Sequence, residues 1–389
     1  MLRKATRLEK IPPYLFMELR NKINKAKAAG VDVISLAIGD PVETTPGPII
    51  EELCRAAHDP ANHRYPTDEE KGMAALRREV CRWYAERYNA PVNPETECLI
   101  LIGSKEGGHH FALAMVNPGD TVLVTDPGYP GYRPSIWLAG AEPYAVPMTA
   151  ENAFLPDLRK IPSDVVRKAK AFYLNYPNNP TGAVATPEFL TQLVAFAREH
   201  SIAICYDNPY IDIVFDGARP LSILSIEGAK EVAVELNSFS KPFNMCGWRL
   251  GMALGNPTAI AAMSQVKSNT DSGVFNAVQY AGIAALKLCA PEVEKMLLVY
   301  GRRRALVADT LNSIGWKCAL PKGTFYIWLP TPDGKSSADF AAELFEKAHI
   351  VVAPGSAYGK FGEGYIRLSL TITDDRLGQA MDRLRKAFG

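Results

Sequence analysis

Two cationic residues, Lys241 and Arg249, follow directly after an apolar run of the sequence. The run EVAVELN is typical of a buried strand, and SFSKPFNMCGWRLG comes immediately after it. Pro242 cannot continue the strand, so both cations should lie near its end. Charge is unfavourable at such a place unless something pairs with it. The segment therefore predicts a ligand at this strand end.

Three further strand-like runs also end in polar residues. ILIGSKEGG ends in a turn before a helix, where Ser104, Lys105 and the backbone N–H groups could bind an anion. YPNNPTG places Asn179 in a rigid turn, and CYDNPY places Asp207 and Tyr210 directly after an apolar strand. Taken singly, each of these segments is also typical of an ordinary turn or cap.

Taken together, these groups match the functional groups of pyridoxal 5'-phosphate. Its phosphate needs an anion site, and its pyridine nitrogen needs a carboxylate because the protonated ring is the electron sink. Its aldehyde needs a lysine amine that can form a Schiff base. We therefore expect Lys241 to carry the cofactor, Asp207 to pair with the ring nitrogen and Arg249 to hold the phosphate.

The elements that position these residues alternate between strand-like and helix-like runs from about residue 95 to residue 255. Several runs lack polar alternation, which predicts an α/β domain with a mostly parallel sheet buried on both faces. Sites in such sheets form at the carboxyl ends of the strands. From residue 316 the pattern changes to a smaller α+β unit, in which WKCALPKGTFYIWLP predicts two strands around a Lys-Gly turn.

The N-terminal segments LFMELRNKINKAKAAG and VDVISLAIG are expected to pack with this smaller unit. The predicted division is a large cofactor-binding domain, residues 46–290, and a small domain built from both termini, residues 1–45 and 291–389.

Composition argues against several other classes of protein. The 43 Lys and Arg residues balance 42 Asp and Glu residues, so no nucleic-acid partner is expected. The seven Cys have no CxxC spacing, which disfavours a disulfide framework or a metal site. The N-terminal sequence lacks the apolar core of a signal peptide, and no apolar run reaches the roughly 18 residues that span a bilayer. A cytoplasmic protein without membrane contact is predicted.

The segment SFSKPFNMCGWRLG resembles the lysine motif of the class I/II (fold type I) aminotransferases, and NNPTG and DNPY precede it in that family's order. The resemblance covers essentially the whole chain and implies the fold type I architecture. It implies catalytic roles for Lys241, Asp207 and Tyr210. The cofactor-binding residues that it implies are Ser104, Lys105, Tyr129, Asn179, Asp207, Tyr210, Ser238, Lys241, Arg249 and Tyr65.

The same resemblance implies four substrate contacts, namely Tyr14, Gly39, Asn179 and Arg367. Arg367 would bind the substrate α-carboxylate, a task suited to its planar fork. Tyr129 would stack on the cofactor ring, and Tyr65 would reach the phosphate from a partner subunit. The resemblance therefore implies a homodimer with shared active sites and a ping-pong reaction between an amino acid and a 2-oxo acid.

Four segments resemble the bacterial LL-diaminopimelate aminotransferase branch of this family: YLFMELRNKI, GSKEGG, NYPNNPTGAV and QVKSNTDSGVFNAVQ. This implies LL-2,6-diaminopimelate as the amino donor, 2-oxoglutarate as the acceptor and a place in lysine biosynthesis. Asp68 stands where the broader family carries a Glu that meets the distal amine, and Asn276 is another candidate for that end.

Other activities remain open at this stage. No arginine lies between Arg249 and Arg302, which disfavours an aspartate aminotransferase that uses a partner-chain Arg from this region. Alanine, aromatic and methionine aminotransferases are further alternatives. A carbon–sulfur β-lyase would use the same cofactor groups, and a ligand-sensing protein without catalysis is a different class again.

Overall fold

The computed structural model describes residues 2–13, 15–66, 68 and 70–389. Within these residues there are thirteen α-helices and twelve β-strands. The helices are α1 (Leu15–Ala28), α2 (Gly47–Ala57), α3 (Ala74–Tyr88), α4 (Ser104–Met115), α5 (Tyr132–Leu138), α6 (Ser163–Val166), α7 (Pro187–His200), α8 (Ala229–Val232), α9 (Pro257–Ser268), α10 (Asn276–Leu288), α11 (Ala290–Ser313), α12 (Ser337–Ala348) and α13 (Asp374–Phe388). The strands are β1 (Ile34–Ser35), β2 (Cys98–Leu101), β3 (Thr121–Asp126), β4 (Glu142–Pro147), β5 (Ala169–Asn175), β6 (Ala203–Asp207), β7 (Ala233–Ser238), β8 (Gly251–Gly255), β9 (Tyr326–Pro330), β10 (Ile350–Val351), β11 (Ala353–Pro354) and β12 (Tyr365–Ser369).

The central sheet has seven strands in the order β2-β8-β7-β6-β5-β3-β4. Strands β3 to β7 pair in parallel, and β8 is antiparallel to both β2 and β7. The predicted mostly parallel sheet is therefore confirmed. Its register places Asn175 of β5 beside Asp207 of β6, and Asp207 beside Leu236 of β7. The ends of three strands thus deliver polar residues to one edge of the sheet.

Apolar side chains cover the central sheet on both faces. On one face, Leu76 and Val80 of α3 belong to a buried cluster with Ile100 of β2. On the other face, Phe111 of α4 and Ile260 of α9 join a second cluster. Strands buried in this way need apolar residues at every position, which explains why their sequences lack polar alternation.

A second set of strands is built from the two ends of the chain. Strands β11, β12 and β9 form an antiparallel sheet, and β1 pairs in parallel with β10. Helices α11, α12 and α13 contribute to the cluster of apolar side chains around these strands. Backbone bonds also attach residues 36–40 to this unit, because the Ser369 N–H donates to the Leu36 carbonyl at 2.6 Å. The division at residues 45 and 290 stays a prediction.

One predicted strand is wrong. In WKCALPKGTFYIWLP only the second half forms a strand, β9, and residues 317–321 are irregular. The turn instead bonds to another loop: the Phe215 N–H donates to the Lys322 carbonyl at 3.0 Å, and the Thr324 N–H donates to the Ile213 carbonyl at 2.8 Å. Pro321 also lacks the N–H that a paired strand requires.

No helix among the described residues combines the length and the apolar character needed to cross a bilayer.

Candidate active site

A cavity of about 400 Å³ lies at the carboxyl ends of β5, β6 and β7. Parallel strands bring their ends to one edge, and the loops that follow them close around this space. Ten of the residues predicted from sequence line the cavity: Gly39, Ser104, Lys105, Tyr129, Asn179, Asp207, Tyr210, Ser238, Lys241 and Arg249. Segments far apart in sequence therefore meet at one place.

Asp207 forms the floor of the cavity at the end of β6 and is buried. Its Oδ2 accepts a hydrogen bond of 2.7 Å from the Tyr132 hydroxyl, while its Oδ1 has no hydrogen-bond partner among the described residues. Burial raises the pKa of Asp207 to about 7, and the hydrogen bond from Tyr132 opposes that rise. A buried carboxylate oxygen without a partner fits a ligand that brings a protonated nitrogen.

The Lys241 amine projects into the same cavity from the loop after β7. Its Nζ donates to the Gly39 carbonyl at 2.9 Å and lies 3.4 Å from the Cys246 Sγ. Neither of these two partners is a carboxylate. The amine therefore occupies a position from which it can react with a carbonyl group in the cavity.

The other end of the cavity is suited to an anion. Helix α4 begins here at Ser104, and Gly103 precedes it with φ +107°. This φ favours glycine, and a Cβ at Gly103 would come within 2.5 Å of a guanidinium nitrogen of Arg249, so that side chain would have to move. Arg249 is itself held in place, because its Nη1 donates to the Cys246 carbonyl at 2.8 Å.

Two hydroxyl groups complete this anion site. The Oγ atoms of Ser238 and Ser240 lie 2.9 Å apart, and both residues line the cavity. A helix N-terminus, two hydroxyls, a guanidinium and the neighbouring Lys105 are the groups that proteins use to bind a phosphate. The structure therefore fits the phosphate of the predicted cofactor at this end.

Tyr210 and Asn179 lie between the two ends. The Tyr210 hydroxyl is 3.2 Å from the Tyr326 hydroxyl, and burial keeps the pKa of Tyr210 well above its ordinary value. Tyr210 is therefore a neutral hydrogen-bond donor. The Asn179 Oδ1 accepts a 2.7 Å bond from Arg367, which fixes the amide with its nitrogen available for another partner.

Arg367 is fully buried and does not line the cavity. It packs against Tyr326, which forms part of the cavity wall: the guanidinium lies 3.9 Å from the centre of the Tyr326 ring. Its Nη2 donates to the Ala37 carbonyl at 2.5 Å. Gly39 is required at this wall, because a Cβ there would come within 1.9 Å of the Tyr326 hydroxyl. The structure thus brings Arg367 and Gly39 together across Tyr326.

Other predicted contacts are not brought to the cavity within this chain. The side chain of Tyr65 is 77% exposed and lines no part of the cavity. Asp68 lies 3.6 Å from Arg77, and Asn276 is buried at the start of α10; neither lines the cavity. Tyr14 lies outside the described residues.

Sequence reasoning missed several residues that line the cavity, among them Tyr132, Ser240 and Tyr326. Ser240 had a usable signal, since it is a second serine beside Lys241, in the turn that follows β7. Tyr132 is the first residue of α5, three positions after Tyr129, and both tyrosines line the cavity. Tyr326 had no local signal, because its position depends on the pairing of β9 with β12.

Comparison with known proteins agrees with this geometry. Residues 31–384 match the sequence profile of the family described as aminotransferase class I and II. The chain is 50% identical to the LL-diaminopimelate aminotransferase of Moorella thermoacetica, covering 100% of this chain and 99% of that protein. It is 51% identical to the protein of the same name from Desulforudis audaxviator, covering 99% and 98% respectively.

Solved structures give a similar result. Substrate-bound BacF from Bacillus subtilis superposes with a TM-score of 0.95 at 37% identity, covering 100% of this chain and 99% of that one. The aspartate aminotransferase of Thermus thermophilus with maleate gives a TM-score of 0.92 at 29% identity, with both chains covered completely.

Proposed function

Because this chain belongs to the class I and II aminotransferase family, we propose that it transfers an amino group from LL-2,6-diaminopimelate to 2-oxoglutarate. That it is a pyridoxal phosphate-dependent transaminase follows from the family itself. The choice of donor is supported by one observation: full-length relatives that share about half of their residues with this chain are LL-diaminopimelate aminotransferases. A cytoplasmic role in lysine biosynthesis is part of the same proposal.

The residues around the cavity fit the cofactor at three points. The free Oδ1 of Asp207 suits the ring nitrogen, the Lys241 amine suits the aldehyde, and the anion site at the start of α4 suits the phosphate. When bound, the cofactor supplies a protonated ring that accepts the electron pair released at the substrate Cα. Side chains of this protein would bind and orient the reactants and move the proton.

Asp207 keeps the proton on the ring nitrogen. It can do so because its second oxygen is already held by Tyr132 at 2.7 Å, which fixes the carboxylate in one orientation. Tyr210 and the Asn179 amide act as donors to the phenolic oxygen. Tyr210 is steadied in turn by Tyr326, whose hydroxyl lies 3.2 Å away.

Lys241 moves the proton. The Lys241 amine lines the cavity, and when it is not bound to the cofactor it would be able to act as a general base. It would remove the α-proton of the substrate and hold it for the return transfer, so the same nitrogen would serve both proton transfers. Gly39 and Arg367 would orient the substrate α-carboxylate. Arg367 would bind it through two N–H groups of its guanidinium, in exchange for its present bonds to Asn179 and the Ala37 carbonyl.

The two half-reactions use these residues in opposite order. The donor leaves as a 2-oxo acid before the acceptor enters, so one cavity serves both substrates and the kinetics are ping-pong.

The donor assignment predicts a clear preference. Among amino donors supplied with 2-oxoglutarate, LL-diaminopimelate should give the highest kcat/KM, at least about tenfold above aspartate, alanine, phenylalanine and methionine. The measurement is glutamate formation by the purified enzyme over a panel that also contains meso-diaminopimelate. A higher kcat/KM for any monoamino acid would contradict the donor assignment while leaving the aminotransferase activity intact. Pyruvate and ammonia from cystathionine without an acceptor would indicate a β-lyase.

We also propose a homodimer in which Tyr65 completes the active site of the partner subunit. Its support is that Tyr65 is highly exposed and absent from its own chain's cavity, although its family counterpart binds the phosphate. A phenolic donor supplied by a partner couples cofactor binding to association, so cofactor should stabilise the dimer by mass action.

Mixing two inactive variants tests this arrangement. Tyr65→Ala and Lys241→Ala subunits should form mixed dimers with one site that carries both lesions and one intact site. Activity should then recover towards about a quarter of wild type, because half of the dimers in a random mixture are mixed. Subunit exchange is verified separately with differently tagged chains. Demonstrated exchange without any recovered activity would show that Tyr65 serves its own chain.

A further inference from the structure

A buried lysine lies behind the anion site, outside the cavity. Lys267, in the last turn of α9, has no exposed surface. Its Nζ donates to the Glu106 Oε1 at 2.8 Å and to the Asp271 Oδ1 at 2.7 Å. A buried ammonium is costly unless it is paired, and here two carboxylates pair with it.

Glu106 connects this lysine to the anion site. It lies in the first turn of α4, two residues after Ser104, and its Oε2 accepts a hydrogen bond from the Ile102 N–H just before the helix. The N-cap residue, Gly103, has no side chain with which to cap the helix. Glu106 therefore fixes the turn that aims the helix start at the cavity.

Burial raises the pKa of Glu106 to about 7, and the Lys267 ammonium opposes that rise, so Glu106 is ionised above about this pH. Its negative charge is then unfavourable for the ligand of that site. A carboxylate in the first turn favours the helix, but it repels a phosphate that binds to the same turn. His110, one turn later, offers no compensating charge, because burial and the nearby Lys267 ammonium lower its pKa to about 4. Lys267 is thus the cation that offsets this carboxylate.

The cluster also has the composition of a metal site. The ligand atoms of Glu106, His110 and Asp271 lie within 4.8 Å of one another. The ammonium of Lys267 contacts two of these three residues, so it takes the place that a cation would have. The Lys267 ammonium is therefore the cation of this cluster.

We propose that Lys267 is a positioning residue for the cofactor: it neutralises the Glu106 carboxylate in the first turn of α4, so that this turn accepts a phosphate dianion. Asp271 completes the arrangement, because its Oδ1 also accepts from the Gly273 N–H at 2.8 Å and anchors the loop that follows α9. The proposal rests on the assignment of the phosphate to the start of α4, and it makes no use of the donor's identity.

Comparing two ligands of the cofactor-free protein tests the proposal. Pyridoxal 5'-phosphate and pyridoxal both react with Lys241, but only the first carries a phosphate. The titrations are made at about pH 9, because Glu106 must be ionised in the absence of Lys267 for its charge to act. In Lys267→Met the Kd for pyridoxal phosphate should then rise by about tenfold or more, while the Kd for pyridoxal changes less than about twofold. Both constants come from titrations that follow the absorbance of the lysine-bound ligand.

Two matched variants serve as controls. Lys287→Met breaks an exposed pair with Glu79, whose oxygen lies 3.3 Å away, and should change neither constant. Arg249→Met should weaken the binding of pyridoxal phosphate more than the binding of pyridoxal, which would locate the phosphate at this end of the cavity. If Arg249→Met weakens both ligands equally, the phosphate assignment and the proposal are both wrong, and the donor panel with the wild-type enzyme still decides the proposed function independently.

A second substitution separates charge from packing. Lys267→Met/Glu106→Gln removes the carboxylate in the first turn of α4. Asp271 remains, but it keeps the hydrogen bond from the Gly273 N–H at 2.8 Å, so the Kd for pyridoxal phosphate should return to within about threefold of wild type. Glu106→Gln alone should bind pyridoxal phosphate at least as tightly as wild type, which keeps the test valid if Lys267→Met does not fold. Three results would overturn the proposal. Lys267→Met could weaken the binding of both ligands equally, or the double variant could fail to recover the binding of pyridoxal phosphate. The third is that Glu106→Gln alone weakens the binding of pyridoxal phosphate selectively.

Discussion

Replacing Lys241 by alanine should lower the turnover of amino transfer by about 10⁴-fold or more. General acid–base catalysis by one positioned group contributes typically about 10²–10⁴-fold, and Lys241 also supplies the only amine proposed to bind the cofactor covalently. The substitution removes both roles, whereas the fold should persist because the side chain is only partly buried and bonds to a carbonyl and a thiol. Initial rates with 2-oxoglutarate and the preferred donor measure the loss.

Borohydride reduction followed by peptide mapping identifies the anchor directly. In the wild-type enzyme the pyridoxyl label should appear on Lys241 alone, and Lys241→Ala should take up no label. Lys105, which also lines the cavity, provides a comparison within the same protein. A label on Lys105 or any other lysine would show that Lys241 is not the anchor.

Replacing Asp207 by alanine should lower kcat/KM by about 10²–10³-fold, or about 3–4 kcal/mol of transition-state stabilisation. The physical reason is that a ring nitrogen without a carboxylate partner loses its proton and accepts the substrate's electron pair less well. Steady-state kinetics at saturating cofactor measure the effect. A variant with nearly normal kcat/KM would show that the ring nitrogen has another partner.

Asp212 gives a matched control for this substitution. It is also a buried aspartate, but it is bonded to Arg87 at 2.6 Å and to Tyr88 at 2.7 Å, away from the cavity. Asp212→Asn should therefore lower the free energy of unfolding while leaving kcat/KM within about threefold of wild type.

The pH dependence of stability should distinguish Asp207 further. In the cofactor-free protein, burial raises its pKa from 3.8 to about 7, so folding favours the protonated form. Its contribution to stability is complete below pH 3.8 and is lost as the pH rises through about 7. Asp207→Asn should not show this loss of stability. Its free energy of unfolding should therefore increase relative to that of the wild type as the pH rises over that interval.

Local patterns in the sequence predicted the central sheet well. Runs such as DTVLVTD and AKAFYLNYP are apolar at successive positions because helices cover both faces of the sheet, and this leaves a direct trace in composition. The strand predicted within WKCALPKG does not form. Its backbone bonds go to residues 213–215, and such a distant partner is invisible to local periodicity.

The candidate site was predictable to the extent that its residues stand at strand ends. Lys241, Asp207 and Asn179 each follow an apolar run, so their meeting in one cavity follows from the parallel order of β5, β6 and β7. Their roles stay predictions. Tyr326 and Lys267 could not be recognised in this way, because each acts through partners that only the tertiary fold brings near.

A single half-reaction tests the central claim most directly. The cofactor-loaded enzyme is mixed with LL-diaminopimelate and no acceptor, and the 2-oxo product and free ammonia are counted per active site. An amino transfer carried by Lys241 predicts one equivalent of 2-oxo product per site, no ammonia, and a second turnover only after 2-oxoglutarate is added. Continued product formation with release of ammonia, or no product at all from this donor while another amino acid gives one equivalent, would contradict the account.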